Sequence, residues 1–132
     1  MNQFNLSDNT YFKYTESGQG PNLLLLHTIR NRIEYYERIL PLLIKKFKVF
    51  CIELPGHGDS PINKKTNYNI EFITNSIVEF IDQKQLDHIT IAGESIGAVL
   101  AATVAIKAPS KVEKIYCFNP YDYDTKFGEG SK

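Results

Sequence analysis

No stretch of this sequence approaches the ~18 consecutive apolar residues that a membrane span requires. Its opening, MNQFNLSDNT, has neither the basic start nor the apolar core of a secretory signal. Both absences point to the cytoplasm. Net charge is missing as well: fifteen basic residues offset fifteen acidic ones, so no overall field gathers nucleic acid or anionic lipid, and a small-molecule partner is expected. Cysteine is scarce. Cys51 and Cys117 each fall inside an apolar run, where buried thiols are expected rather than a disulfide or metal ligands, in keeping with a reducing compartment. There is no internal repeat or low-complexity tract, and only Ser60 to Asn67 and the polar tail from Thr125 are linker-like.

What is present describes a folded α/β protein. At 132 residues the chain has the length of one common domain, and 42% hydrophobic with 23% charged residues lies near globular averages. Gln3 to Leu6 and Tyr11 to Thr15 are β-prone runs separated by the turn formers Ser7, Asp8 and Asn9, which predicts a hairpin. Asn22 to His27, Lys48 to Glu53, His88 to Ala92 and Lys114 to Phe118 are short and apolar, as strands of a parallel sheet buried on both faces are.

Helix-length segments lie between them. Ile70, Ile73, Ile77, Phe80 and Ile81 recur at helical spacing, with Asn69 placed to cap and Glu71 in the first turn. Ser95 to Ala108 is apolar and ends at Pro109, which predicts a helix packed deep against a sheet. Ile33 to Phe47 is a helix that Pro41 should kink or divide. Strand and helix in alternation imply a mostly parallel sheet with helices on both faces, behind an amino-terminal antiparallel hairpin. Ligands of such sheets collect at the carboxyl ends of the strands.

Those ends carry the unusual residues. HITIA is followed by GESIG, Gly93 to Gly97, a G-x-S-x-G pattern with a strand before it and a helix after it. Such a turn strains the backbone of its serine, pushes the hydroxyl out of the core, and aims the free N–H groups of the helix start at the same point. LLLLHT ends a strand at His27 and Thr28, and ELPGHGDS, Glu53 to Ser60, follows the next strand with a glycine-bracketed turn.

In that order of loops and elements the chain resembles the α/β-hydrolase superfamily over nearly its whole length. The resemblance implies Ser95 as nucleophile, the backbone amides of Thr28 and Ile96 as the oxyanion hole, His27 and Glu94 bordering the substrate, and no metal or organic cofactor. It implies acyl transfer from a small carboxylic ester or thioester to Ser95, followed by attack of water. Four positions depart from the family pattern. Thr28 stands where Gly is usual and narrows the acyl pocket; Glu94 and Ala98 stand in the elbow where His and Gly are common. Glu53 replaces the usual Asp of the second loop, where a longer carboxylate can still brace the turn through hydrogen bonds.

The remaining machinery is incomplete in these residues. His27 is expected to orient the oxyanion loop, His57 to brace its turn, and His88 begins the strand at the far, amino-terminal end. None of the three is assigned as general base. Asp122 and Asp124 are the candidate triad acids, with solvated loop carboxylates as the alternative, and no histidine follows Ser95. Residues 1–132 therefore read as a single α/β-hydrolase-like domain that is incomplete, lacking carboxyl-terminal strands and lid, and inactive by itself. The alternative is a non-catalytic α/β-hydrolase-like binding module. Strand 114–118 is expected to lie at a bare sheet edge, open to self-association or to the missing carboxyl-terminal half.

Overall fold

The apolar runs become a six-stranded sheet. The computed structural model describes residues 1–27, 37–56, 60 and 62–118. The elements in chain order are β1 (Asn2–Asn5), β2 (Tyr11–Ser17), β3 (Asn22–Leu26), α1 (Leu40–Leu43), β4 (Lys48–Glu53), α2 (Ile70–Gln83), β5 (Ile89–Glu94), α3 (Ile96–Lys107) and β6 (Val112–Phe118). Across the sheet the order is β1-β2-β4-β3-β5-β6. β1 and β2 form the expected antiparallel hairpin, β2 lies antiparallel to β4, and β4, β3, β5 and β6 are mutually parallel. After β3 the chain first adds β4 on one side and then crosses to add β5 on the other. That reversal makes the carboxyl ends of β3 and β5 the topological switch point of the sheet, the place where open α/β sheets bind ligands.

Alternation along each strand assigns the two faces. Leu24 and Leu26, with Phe12, Tyr14, Phe50, Ile52, Ile89 and Ile91, pack beneath α2 and α3 in the main core. Leu23 and Leu25, with Val49 and Cys51, pack on the opposite face against Leu40, Leu43, Ile44 and Phe47 of the α1 region. Phe80 of α2 is the centre of the main core, with ring centroids 5.0 Å from Phe4, 4.9 Å from Tyr14 and 5.8 Å from Phe50. Burying a ring of that size contributes about 3 kcal/mol.

Helix α2 begins as its sequence predicts, with the Asn69 side chain accepting the N–H of Phe72 at 2.8 Å and Glu71 in the first turn. Pro41 does not kink a long helix among the described residues. It sits in the first turn of the four-residue α1, where its missing N–H leaves no hydrogen bond unmade; residues 33–36 of that expected helix lie outside the described residues. Strand limits also differ. β5 starts one residue after His88 and extends through Gly93 and Glu94, and β6 starts at Val112 rather than Lys114.

Cys117 corrects a second expectation. Cys51, on the central strand β4, is buried, whereas Cys117 is exposed. β6 is the last strand of the sheet, and from Glu113 to Phe118 its residues are solvent-exposed. An apolar run lost its cover because no strand pairs beyond it among the described residues.

Candidate active site

The turn between β5 and α3 depends on two glycines. A Cβ on Gly93 would stand 2.2 Å from the Gly97 carbonyl oxygen, and one on Gly97 would stand 2.4 Å from the Leu26 oxygen and 2.9 Å from the His27 oxygen. Only glycine at both positions lets α3 begin directly against the ends of β5 and β3. Ser95 between them has φ 57° and ψ −116°, a region that residues with a Cβ rarely enter. Its N–H donates to the Phe118 carbonyl at 2.8 Å, and its carbonyl accepts from Ala98 and Val99, so both flanking elements hold the strained angle in place.

The Ser95 side chain is half-buried and makes no capping hydrogen bond to α3. A serine kept at this position as a helix cap would make that bond. The N–H of Ile96 has no hydrogen-bond partner among the described residues, as the first amides of a helix do not, and it lies one residue beyond the hydroxyl. Glu94 is half-buried at the end of β5, opposite Phe118 in the register.

His27, at the end of β3, is fully buried, and its Nε2 accepts the N–H of Leu54 at 3.0 Å. An imidazole nitrogen that accepts must hold a lone pair, so Nε2 carries no proton and is already engaged. His27 ties the β3 loop to the β4 loop. A second tie was not anticipated from the sequence: Ser60, which closes the ELPGHGDS motif, is buried, accepts the N–H of Lys13 at 2.9 Å and donates to the Glu53 carbonyl at 3.0 Å. Its only sequence signal was the last position of that motif. Glu53 is itself fully buried.

His88 lies at the amino-terminal end of β5, away from Ser95, with its ring 80% exposed and its Nδ1 2.8 Å from Glu113. The Glu113 hydrogen bond, with the nearby Asp87 and Glu113 charges, raises its pKa above the ordinary value. Glu113 is thereby placed far from Ser95 too. The structure thus brings Glu94, Ser95, Ile96 and the His27 carbonyl together around one turn, while Thr28, His57, Asp122 and Asp124 lie outside the described residues. No group of three or more His, Cys, Asp or Glu residues suited to a metal occurs among the described residues.

A family model for the alpha/beta hydrolase fold matches residues 21–131. The chain belongs to the α/β-hydrolase fold family. Among curated proteins it is 26% identical over 98 residues to the pimeloyl-[acyl-carrier protein] methyl ester esterase of Aeromonas hydrophila, covering 74% of this chain and 37% of that protein. It is 25% identical over 114 residues to the (E)-2-((N-methylformamido)methylene)succinate hydrolase of Acinetobacter baylyi, covering 86% and 43%. Among solved structures, a protein from work on carboxylesterases of the thaumarchaeon Nitrososphaera gargenis superposes with a TM-score of 0.85 at 25% identity, over 90% of this chain and 45% of that one. An α/β-hydrolase fold protein from Burkholderia ambifaria superposes at 0.83 with 19% identity, a likeness of fold. Its named relatives include esterases and other hydrolases, and the chain spans less than half the length of the two curated ones.

Proposed function

We propose that these residues carry the nucleophile-bearing part of a serine esterase that acts on a small carboxylic ester or thioester. The observation that carries this reading is Ser95 itself: strained, half-exposed, not capping its helix, and set at the switch point of the sheet beside the N–H of Ile96, which has no partner among the described residues. In the proposed reaction Ser95 Oγ attacks the carbonyl carbon while a base takes its proton. The carbonyl oxygen becomes an oxyanion held by the N–H groups of Ile96 and Thr28. The C–O or C–S bond then breaks, the proton passes to the leaving alcohol or thiol, and water releases the acid from the acyl-serine. Glu94 borders the acyl group, the buried His27 positions the end of β3 rather than touching substrate, Asp122 and Asp124 are the candidate acids, and the reaction needs no cofactor. A cytoplasmic location fits the sequence, and no described helix is long and apolar enough to cross a membrane.

A second reading, a binding module without turnover, is favoured by the fate of the histidines. Nε2 of His27 is engaged by Leu54, His88 lies at the opposite end of the sheet, and no histidine follows Ser95 within the 132 residues. We therefore expect a single incomplete domain whose hydrolysis of p-nitrophenyl acetate falls about 10³-fold or more below that of a complete triad enzyme. The test compares the 132-residue chain with its Ser95→Ala variant. A large rate that vanishes in the variant would show that a base, such as His57, reaches Ser95 within this chain.

A further inference from the structure

The end of the sheet that carries Ser95 also holds a cavity. Its volume is about 410 Å³, and its lining includes Asn9, Thr10, Tyr11, Ile62, Asn63 and Lys64. Tyr11 lies two residues before Lys13, which pairs with Glu53 at the carboxyl end of β4, so this cavity opens at the same end of the sheet as the Ser95 turn. From β2 to β5 the sheet order crosses three strand spacings, roughly 14 Å. The two sites are neighbours on one rim, and the volume falls within the range of small-molecule sites.

The lining keeps one cation and several uncommitted donors, while both donors of Thr10 are already spent. Asp8 Oδ1 accepts both the N–H and the hydroxyl of Thr10. Asn63 Oδ1 accepts the N–H of Lys65 at 2.9 Å, which leaves the NH₂ as the unspent end of that amide. Among the described residues neither Lys64 Nζ, nor the Tyr11 hydroxyl, nor the side-chain amide of Asn9 meets a protein partner. Asn9 is fixed at φ 73°, a left-handed conformation that Asn tolerates, by its N–H bond to the Leu6 carbonyl. Ile62, 71% exposed, adds one apolar wall.

We propose that this cavity binds a small organic carboxylate. One ammonium group suits a singly charged head, the NH₂ of Asn63 and the hydroxyl of Tyr11 supply further donors to its oxygens, and Ile62 covers a short alkyl body. The site does not depend on the role of Ser95.

The test is titration of the full 132-residue chain by ¹H–¹⁵N NMR with butyrate, with butyramide as its neutral counterpart, and with inorganic phosphate as an anion without an alkyl body. The expected result is saturable, millimolar butyrate binding with shifts centred on Asn9, Tyr11, Asn63 and Lys64, and weaker binding of the other two. Lys64→Gln and Tyr11→Phe should each weaken butyrate by about five-fold, while the spectra confirm that the variants are folded. Butyramide or phosphate binding as tightly as butyrate would overturn the proposal. So would butyrate affinity unchanged by Lys64→Gln, or shifts that stay linear up to about 100 mM.

Discussion

Ser95 pays for its position with backbone strain on the order of 1–3 kcal/mol, a cost that persists only where surrounding structure enforces it. Here the enforcement is local: Gly93 and Gly97 admit the close approach, and the Phe118 carbonyl holds the Ser95 N–H. His88 behaves in the opposite way, as a surface group tuned by one neighbour. Glu113 and Asp87 raise its pKa in the folded chain, so its small stabilising effect is full below the unfolded value of about 6.5 and disappears as pH rises through the raised folded value. An NMR titration of the His88 ring should therefore report a pKa above that of an unfolded peptide, returning toward it in Glu113→Gln. A His88 pKa that ignores the Glu113 substitution would contradict the pairing.

Thiol chemistry separates elements rather than residues. Burial on β4 pushes the Cys51 thiol up to about 11, against an opposing hydrogen bond with Thr15, while Cys117 stands exposed on β6. Iodoacetamide near pH 8 should modify Cys117 in the native chain and Cys51 only after unfolding; mass spectrometry distinguishes the two, and equal native rates would contradict the assigned faces. The sequence treated these cysteines alike because an apolar run reports β-propensity, not what packs beside the strand. Periodicity did reveal α2, since Ile73, Ile77, Phe80 and Ile81 repeat on one face behind a capping Asn69. It could not place Pro41 in a first turn, which depends on where the helix starts. The GESIG turn was legible because glycine spacing and serine position are themselves the geometry. The Ser60 tie between β2 and the β4 loop was not, because it joins residues 47 positions apart.

At the scale of the whole molecule, the sheet of the described residues ends in a strand whose Ile115, Tyr116 and Phe118 are 38%, 50% and 55% exposed. Unpaired N–H and C=O groups flanked by apolar side chains template further pairing. The 132-residue chain should associate with itself as concentration rises in sedimentation velocity, and Tyr116→Lys should suppress that association; a stable monomer at high concentration would contradict it. The central claim concerns Ser95, and replacing its hydroxyl by a group that ionises without a partner tests it most directly. Ser95→Cys, made with Cys117→Ser, places a thiol at a helix start that lowers thiol pKa values. Stopped-flow mixing with p-nitrophenyl acetate should give one equivalent of p-nitrophenolate, with the acetyl group on position 95, at least about ten-fold faster than the exposed Cys117 thiol reacts in the unsubstituted chain. A thiol at position 95 that acylates no faster than Cys117 would contradict the assignment of this turn as the nucleophile's seat.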